Sequence, residues 1–319
     1  MILPVLYLIT VTIVREKRQI VGMFSVMVVS MFLIGMHFYR NFQHTGGQYR
    51  EDRRWSGALS YLGPNEVGAF WAEYSFILLG VLLVCTLKFW RWPILATLGV
   101  SVYGLVYSFS RGAYAAFLVG FLFISLVSRN VKALAVLGGF LLFWTSLVPG
   151  SVVERVEMSR SEDGTLDSTL EGRLGRWQHG IDLFLRNPVG YGFETVRFLG
   201  FTGYLEVGSS GGDPHNRYIE FLVEMGVVGI VMFLYLFYLG FKSGWRLYTR
   251  GEDKFLKGLG LGFAATVVAT MVANMFGDRW TYDILGAFYW VCWALVVRGN
   301  VIDQVGKAKA MAFPTSGEI

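Results

Sequence analysis

A His-Asn pair and two glutamates stand at the start of a long apolar segment in the sequence PHNRYIEFLVEMGVVG. Neutral imidazole accepts a proton near pH 7, so His215 is a candidate general base or acceptor-binding group, and Asn216 can orient it. Glu220 and Glu224 are four residues apart on one helical face and could line the same cleft. The alternative is that the His-Asn pair is an ordinary helix cap and turn.

Three arginine sites accompany this pair. Arg111 stands in SFSRGAY between two apolar segments, and Arg173 and Arg176 begin the helical pattern GRLGRWQHGIDLFLR. Guanidinium stays charged at a membrane surface and binds phosphate oxygens bidentately, so a cluster of these groups would suit a lipid-linked diphosphate. The alternatives are a snorkelling side chain at Arg111 and a solvated helix face at the other two.

A further candidate is Arg54, the first residue of RWSGALSYLGPNEVGAF, which we interpret as an outward loop that re-enters the membrane at Pro64-Asn65. A plain turn before a helix start would explain the same residues. Asp163 and Asp167 are better explained by a solvated loop than by a metal site, so no metal is predicted. Cys85 and Cys292 lie inside apolar runs and indicate buried small hydrophobes.

The elements that position these residues are predicted to be membrane helices. Of the 319 residues, 54% are hydrophobic and 16% are charged, with 16% aromatic, which excludes an ordinary soluble domain. The fold class is therefore all-α, a polytopic membrane helix bundle. Nine apolar segments are predicted to span the membrane: 2–14, 20–38, 66–87, 92–109, 112–128, 131–149, 217–241, 255–276 and 281–298.

Orientation follows from basic residues in the short loops. If the Arg15–Arg18 loop is cytoplasmic, the inside segments hold 15 Lys and Arg and the short outside loops hold 6, so the net charge of +5 reflects topology and not nucleic acid. This places the N-terminus outside and the C-terminus inside. Because the first span is short and is preceded by no basic segment, it does not resemble a signal peptide, and the start looks clipped.

Four regions result: membrane helices at 1–149 with an outer loop at 39–65, a periplasmic loop at 150–216, membrane helices at 217–298, and a disordered cytoplasmic tail at 299–319. Within the periplasmic loop we predict an amphipathic helix on the membrane surface. The proline and glycines of NPVGYG end it.

Four motifs occur in order: RWSGALSYLGPNEVGAF, SRGAYAAF, GRLGRWQHGIDLFLRNPVGYGFETV and HNRYIEFLVEMGVVG. Each is weak alone, but in this order, with the last two bracketing the long loop, they resemble the bacterial O-antigen ligase and polymerase superfamily of integral membrane glycosyltransferases. The resemblance covers roughly residues 50–298. Relatives commonly have additional spans before the first motif, which puts in question whether this chain is complete.

The resemblance implies transfer of a glycan from undecaprenyl diphosphate to an acceptor hydroxyl at the periplasmic side of the inner membrane, with no metal or other cofactor. It implies that Arg111 and Arg173 bind the diphosphate and that His215 positions or deprotonates the acceptor. We interpret Arg54, Arg176, Asn216, Glu220 and Glu224 as substrate-binding residues. A diphosphate is already a good leaving group, so the arginines need only stabilise the charge that develops on it. Direct attack, which would invert the anomeric centre, is inferred because the sequence shows no outward carboxylate pair at glycosidase spacing.

The acceptor stays open: a lipid A core, a glycan or a protein. The alternatives are a polymerase of the same superfamily, a transporter of lipid-linked glycans, and a structural or regulatory membrane protein. Transporters tend to contain paired helices broken at mid-membrane depth, and the sequence shows no such pair. A structural protein would tolerate alanine at His215 and Arg111.

Overall fold

A computed structural model describes residues 3–44, 63–85, 90–157, 168–199 and 214–312. In these ranges the chain forms eleven α-helices, two short 3₁₀ helices and no strand. The all-α prediction is thereby confirmed. Arg54, Asp163 and Asp167 lie outside the described residues.

Eleven α-helices follow one another along the described parts of the chain. They are α1 (Leu3–Ile13), α2 (Lys17–His44), α3 (Pro64–Val84), α4 (Arg91–Val106), α5 (Arg111–Val127), α6 (Val131–Leu147), α7 (Gly150–Glu157), α8 (Ser168–Arg186), α9 (Arg217–Arg250), α10 (Lys254–Ala273) and α11 (Asp283–Ala312). The 3₁₀ helices are Val196–Phe198, between α8 and α9, and Asn274–Phe276, directly after α10.

Five described segments are long and apolar enough to cross a membrane: Lys17–Arg40, Pro64–Val84, Arg217–Arg250, Lys254–Phe276 and Asp283–Ala308. α1, α4 and α5 are apolar but shorter, and α6 loses helical geometry at Phe143 near its end. At 1.5 Å per residue, a helix of 11 residues such as α1 falls short of a bilayer core of about 30 Å. The count of nine spans therefore stays a prediction.

The core of the bundle is the contact between α3 and α10. Most side chains of both helices are buried. Gly80 makes the close approach possible, because a Cβ there would overlap the backbones of Gly258 and Gly262. Around this pair, α5 and α9 pack on α10, α4 and α5 on α3, α2 on α4, and α1 on α11.

The long helix α9 is interrupted at Gly226, whose φ of 62° and ψ of −157° are not helical. The loop after α8 fills the interruption: Tyr191 N donates to Val223 O at 2.9 Å, and Val227 N donates to Pro188 O at 3.1 Å. A Cβ at Gly226 would overlap the Pro188 carbonyl. The glycine therefore lets the loop approach the backbone of α9, and the residues before Gly226 form a separate short helix.

Two other boundaries differ from the sequence prediction. α11 continues to Ala312, so residues 299–312, predicted to be part of a disordered tail, are helical. Their anchor is polar: Asp303 accepts from Glu252 N at 2.8 Å and pairs with Lys307 at 3.0 Å. In addition, the predicted outer loop at 39–65 is shorter, because α2 extends to His44.

Candidate functional site

The turn between α4 and α5 places Arg111 at the first position of α5. Ser110 caps this helix, its side chain accepting from Ala113 N at 3.4 Å, and Phe109 before it has a left-handed φ of 53°. The turn packs against α3, because a Cβ at Gly68 would lie 2.6 Å from Ser108 Oγ. Arg111 is therefore held at a capped helix start and is partly exposed.

Arg111 borders a cavity of about 650 Å³ between α4, α5, α6 and α7. The other lining residues carry no charge, and nearly all are apolar; they include Leu105, Phe117, Leu118, Leu137, Leu141 and Trp144. Tyr114 also lines the cavity, but its hydroxyl donates to Val106 O at 2.5 Å. The cavity is thus a hydrophobic compartment with a guanidinium at its edge.

The His-Asn pair forms the turn before α9. Asn216 is buried and caps the helix, its Oδ1 accepting from Tyr218 N at 3.0 Å and Ile219 N at 3.4 Å. His215 is partly exposed and has a left-handed φ of 50°. A histidine in this conformation costs roughly 1–3 kcal/mol and must be stabilised by its surroundings. Asn216 therefore caps α9, as one of the two interpretations of the sequence expected, and the backbone strain of this turn is at His215.

The helix α8 ends at Arg186, directly before Asn187-Pro188, as the sequence predicts. It packs on the start of α9: Trp177 Nε1 donates to Pro214 O at 2.9 Å, next to His215. Arg173, one turn before Trp177, shares its face of the helix. Arg176 is buried, with 5% of its surface exposed, and Arg173 is partly exposed.

The two glutamates predicted to line a cleft have protein partners. Glu220 is in an ion pair with Arg217 at 2.5 Å. Glu224 is buried, and its Oε1 accepts from Val196 N at 3.3 Å, which ties the loop after α8 to α9. Both carboxylates stabilise the start of α9, and a contact with substrate stays a prediction for each.

Sequence reasoning missed Arg217 and the pairs around the α10–α11 turn. Arg217 is buried and lies 3.7 Å from Asp278 as well as contacting Glu220, with its guanidinium 4.8 Å from the centre of the Phe221 ring. Arg279 is equally buried and pairs with Glu66 at the start of α3 at 2.5 Å. The signal was the rarity of arginine in short outside loops, which drew attention to Arg111 and applies equally to Arg279.

The α10–α11 turn lies between the two candidate groups. On one side a Cβ at Gly112, next to Arg111, would lie 2.7 Å from Phe276 Cβ. On the other side Asp278 pairs with Arg217, next to the His-Asn turn. We call this region, made of the start of α3, the α4–α5 turn, α8, the start of α9 and the α10–α11 turn, the site end of the bundle. The contacts bring the turns that carry Arg111 and His215 against one shared segment.

Among the described residues, no group of three or more His, Cys, Asp or Glu side chains could hold a metal ion. Both cysteines are free, and Cys292 is buried.

Comparison with known proteins gives one family match. The family model described as O-antigen ligase matches residues 96–234. The matched part runs from α4 into α9 and contains Arg111, Arg173, Arg176 and His215. No curated protein matches the chain.

Proposed function

We propose that this chain, whose residues 96–234 match the O-antigen ligase family model, is a membrane glycosyltransferase of the O-antigen ligase and polymerase type. It transfers a glycan from undecaprenyl diphosphate to an acceptor hydroxyl at the periplasmic face of the bacterial inner membrane. The site end of the bundle carries the reaction, and Arg111, Arg173 and His215 are its principal residues.

The observation that carries this proposal is the position of Arg111 at the edge of an apolar cavity of about 650 Å³. A polyprenyl diphosphate has the matching division into a dianionic head and a hydrocarbon tail. Arginine binds phosphate oxygens with two parallel hydrogen bonds. Burial of the adjoining hydrocarbon contributes about 0.8 kcal/mol per CH₂. Cavities of about 300–1,000 Å³ hold small ligands, so only the part of the tail next to the head would fit.

The reaction needs little from the protein beyond charge and position. The acceptor oxygen attacks the anomeric carbon, the bond from that carbon to the diphosphate oxygen breaks, and the diphosphate leaves with the electron pair. Arg111 and Arg173 stabilise the negative charge that develops on the diphosphate. His215 takes the acceptor proton, for which a neutral imidazole near pH 7 is suited. A single displacement inverts the anomeric centre.

The remaining arginines of the site end support these groups. Arg217 and Arg279 are engaged with carboxylates on neighbouring elements. Their pairs connect the start of α9 to the α10–α11 turn and that turn to the start of α3, and Trp177 donates to Pro214 O next to the strained His215. We assign both arginines to positioning, and Arg176, Asn216, Glu220 and Glu224 to the walls of the substrate site, with Arg54 as a further donor contact.

The interruption of α9 at Gly226 is an observation that favours a transporter, because broken helices are common in transporters. In those proteins, however, the breaks lie at mid-membrane depth in paired helices. Here the break at Gly226 is near the beginning of α9, and that at Phe143 is near the end of α6. Both lie near helix ends, which suits a surface site better than a translocation path.

The test is transfer by the purified full chain in liposomes that contain an undecaprenyl-diphosphate glycan, with a lipid A core, a second lipid-linked glycan or a protein as acceptor. Wild type should release undecaprenyl diphosphate with one of them. His215→Ala and Arg111→Ala should abolish the release, whereas Arg129→Ala, at the other end of α5, should not. A second lipid-linked glycan as the working acceptor would identify a polymerase. No release with any acceptor, or release unchanged in the two variants, would overturn the proposal.

A further inference from the structure

A glutamate lies in the core of the bundle, away from the site end. Glu73 is near the middle of α3, in a segment apolar enough to span a membrane, and no part of it is exposed. Neither oxygen of its carboxyl group accepts a hydrogen bond. An ionised carboxylate in such surroundings is costly unless something neutralises it, and ionisable residues inside membrane spans mark ion or proton sites.

Two hydroxyl groups on other helices share this property. Thr270 Oγ1 on α10 and Tyr289 OH on α11 are buried and make no hydrogen bond. Thr270 and Tyr289 are both close enough to interact with the Glu73 carboxyl group, although neither hydroxyl is in hydrogen-bonding geometry with it. The Glu73 carboxyl group and two hydroxyl groups without hydrogen-bond partners, one on α10 and one on α11, therefore lie in the same part of the core.

The basic residue near this point is already engaged. Arg279 interacts electrostatically with Glu73, but its guanidinium hydrogen-bonds with Glu66 and with the carbonyl of Asp278. The other titratable groups that face the site from the packed helices are neutral at ordinary pH: Tyr74 on α3, Cys292 on α11 and, beyond Tyr289, Tyr218 on α9. The hydroxyl of Tyr74 donates to Leu285 O. No hydrogen-bonded basic side chain among the described residues balances the Glu73 charge.

We propose that Glu73, Thr270 and Tyr289 form a binding site for a monovalent cation, a proton or Na⁺, in the core of the bundle. The shared chemistry is a single positive charge held by hard oxygen atoms, which suits both ions. The cation neutralises the carboxyl group and couples α3 to α10 and α11. The site is separate from glycan transfer, and its test does not require the proposed reaction.

The experiment is thermal unfolding of the full chain in detergent between pH 5 and 9, with NaCl or choline chloride at equal ionic strength. If the cation is a proton, the Tm of wild type falls as pH rises, because the folded chain retains a proton that the unfolded chain releases. If the cation is Na⁺, the Tm at pH 8 rises by about 2 °C or more for each tenfold increase in NaCl above the Kd. Choline is too large to replace it.

Glu73→Gln keeps the shape of the side chain without its charge and should remove the dependence seen in wild type. Thr270→Val should weaken it. Thr266→Val is the matched control, since the Thr266 hydroxyl donates to the Glu73 backbone carbonyl at 2.9 Å and lies one turn from Thr270. It should leave the dependence unchanged. Equal responses of wild type, Glu73→Gln and Thr270→Val to pH and to Na⁺ would overturn the proposal.

Discussion

The core of the bundle and its site end are held together in different ways. In the core, α3 and α10 approach so closely that glycine is required, and most of the surrounding side chains are apolar. At the site end, buried arginines pair with carboxylates from other elements, and Phe109, His215 and Gly226 have positive φ angles. The difference indicates that ion pairs fix the positions of the turns at the site end, whereas close helix packing holds the core together.

The largest effect is expected from breaking an ion pair at the site end. Arg279→Ala leaves the Glu66 carboxylate, whose side chain is only 13% exposed, without its partner, so we expect a loss of up to about 3–5 kcal/mol in the free energy of unfolding. Chemical denaturation in detergent measures it. Arg18→Ala is the control, since its pair with Glu16 is mostly exposed and should contribute less than about 1 kcal/mol. Equal losses in the two variants would show that the Arg279–Glu66 pair contributes no more to stability than an exposed ion pair.

Packing in the core gives the next effect. A Cβ at Gly262 would lie 2.8 Å from Ile77 Cα and close to the Phe76 carbonyl, and backbone atoms cannot move aside easily. Gly262→Ala should therefore cost about 1–3 kcal/mol. In the matched variant Gly139→Ala, on α6, the methyl group meets nothing within 4 Å, and a gain of about 0.5–1 kcal/mol is expected. A stable Gly262→Ala protein would show that α3 and α10 are less tightly packed.

Gly226→Ala tests the strain at the site end. Its φ and ψ lie in a region that is nearly exclusive to glycine, so alanine costs roughly 1–3 kcal/mol and displaces the loop at 188–192. Both glycan transfer and stability should decrease, because the loop contacts Glu224 through the hydrogen bond from Gly192 N to Glu224 O. Gly99→Ala, in open space on α4, is the control and should retain both. Normal transfer by Gly226→Ala would show that glycan transfer does not depend on the position of this loop.

The smallest effect on stability is expected at His215. Asparagine also tolerates the left-handed conformation, so His215→Asn should change the free energy of unfolding by less than about 0.5 kcal/mol. Transfer should fall by about 100-fold or more, because the proton acceptor is gone. A large loss of stability with proportionate loss of transfer would instead make the imidazole a structural group.

The sequence predicted those features of the fold that depend on residues close together in the chain. The end of α8 before Asn187-Pro188 follows from proline's effect on a helix, and the cap of α9 follows from the asparagine side chain. The order of the motifs also predicted the O-antigen ligase family, and the model of that family matches residues 96–234.

Distant contacts could not be predicted in this way. The pairs of Arg217 with Asp278 and of Arg279 with Glu66 join elements far apart in the sequence, and no pattern identifies their partners. Glu73 stands in an apolar run, where periodicity predicts burial but not what faces the side chain. The last turns of α11 were missed because their anchor to Glu252 is a tertiary contact.

The most direct test of the account separates donor binding from sugar transfer in one set of proteins. The measurement is the Kd for undecaprenyl diphosphate, with the transfer rate, for wild type, Arg111→Gln and His215→Asn. Loss of a charge-assisted contact of about 1.5–3 kcal/mol should weaken binding by Arg111→Gln by roughly 10–100-fold. His215→Asn should bind like wild type and fail to transfer. Unchanged binding by Arg111→Gln would contradict the placement of the diphosphate at the edge of the α4–α7 cavity.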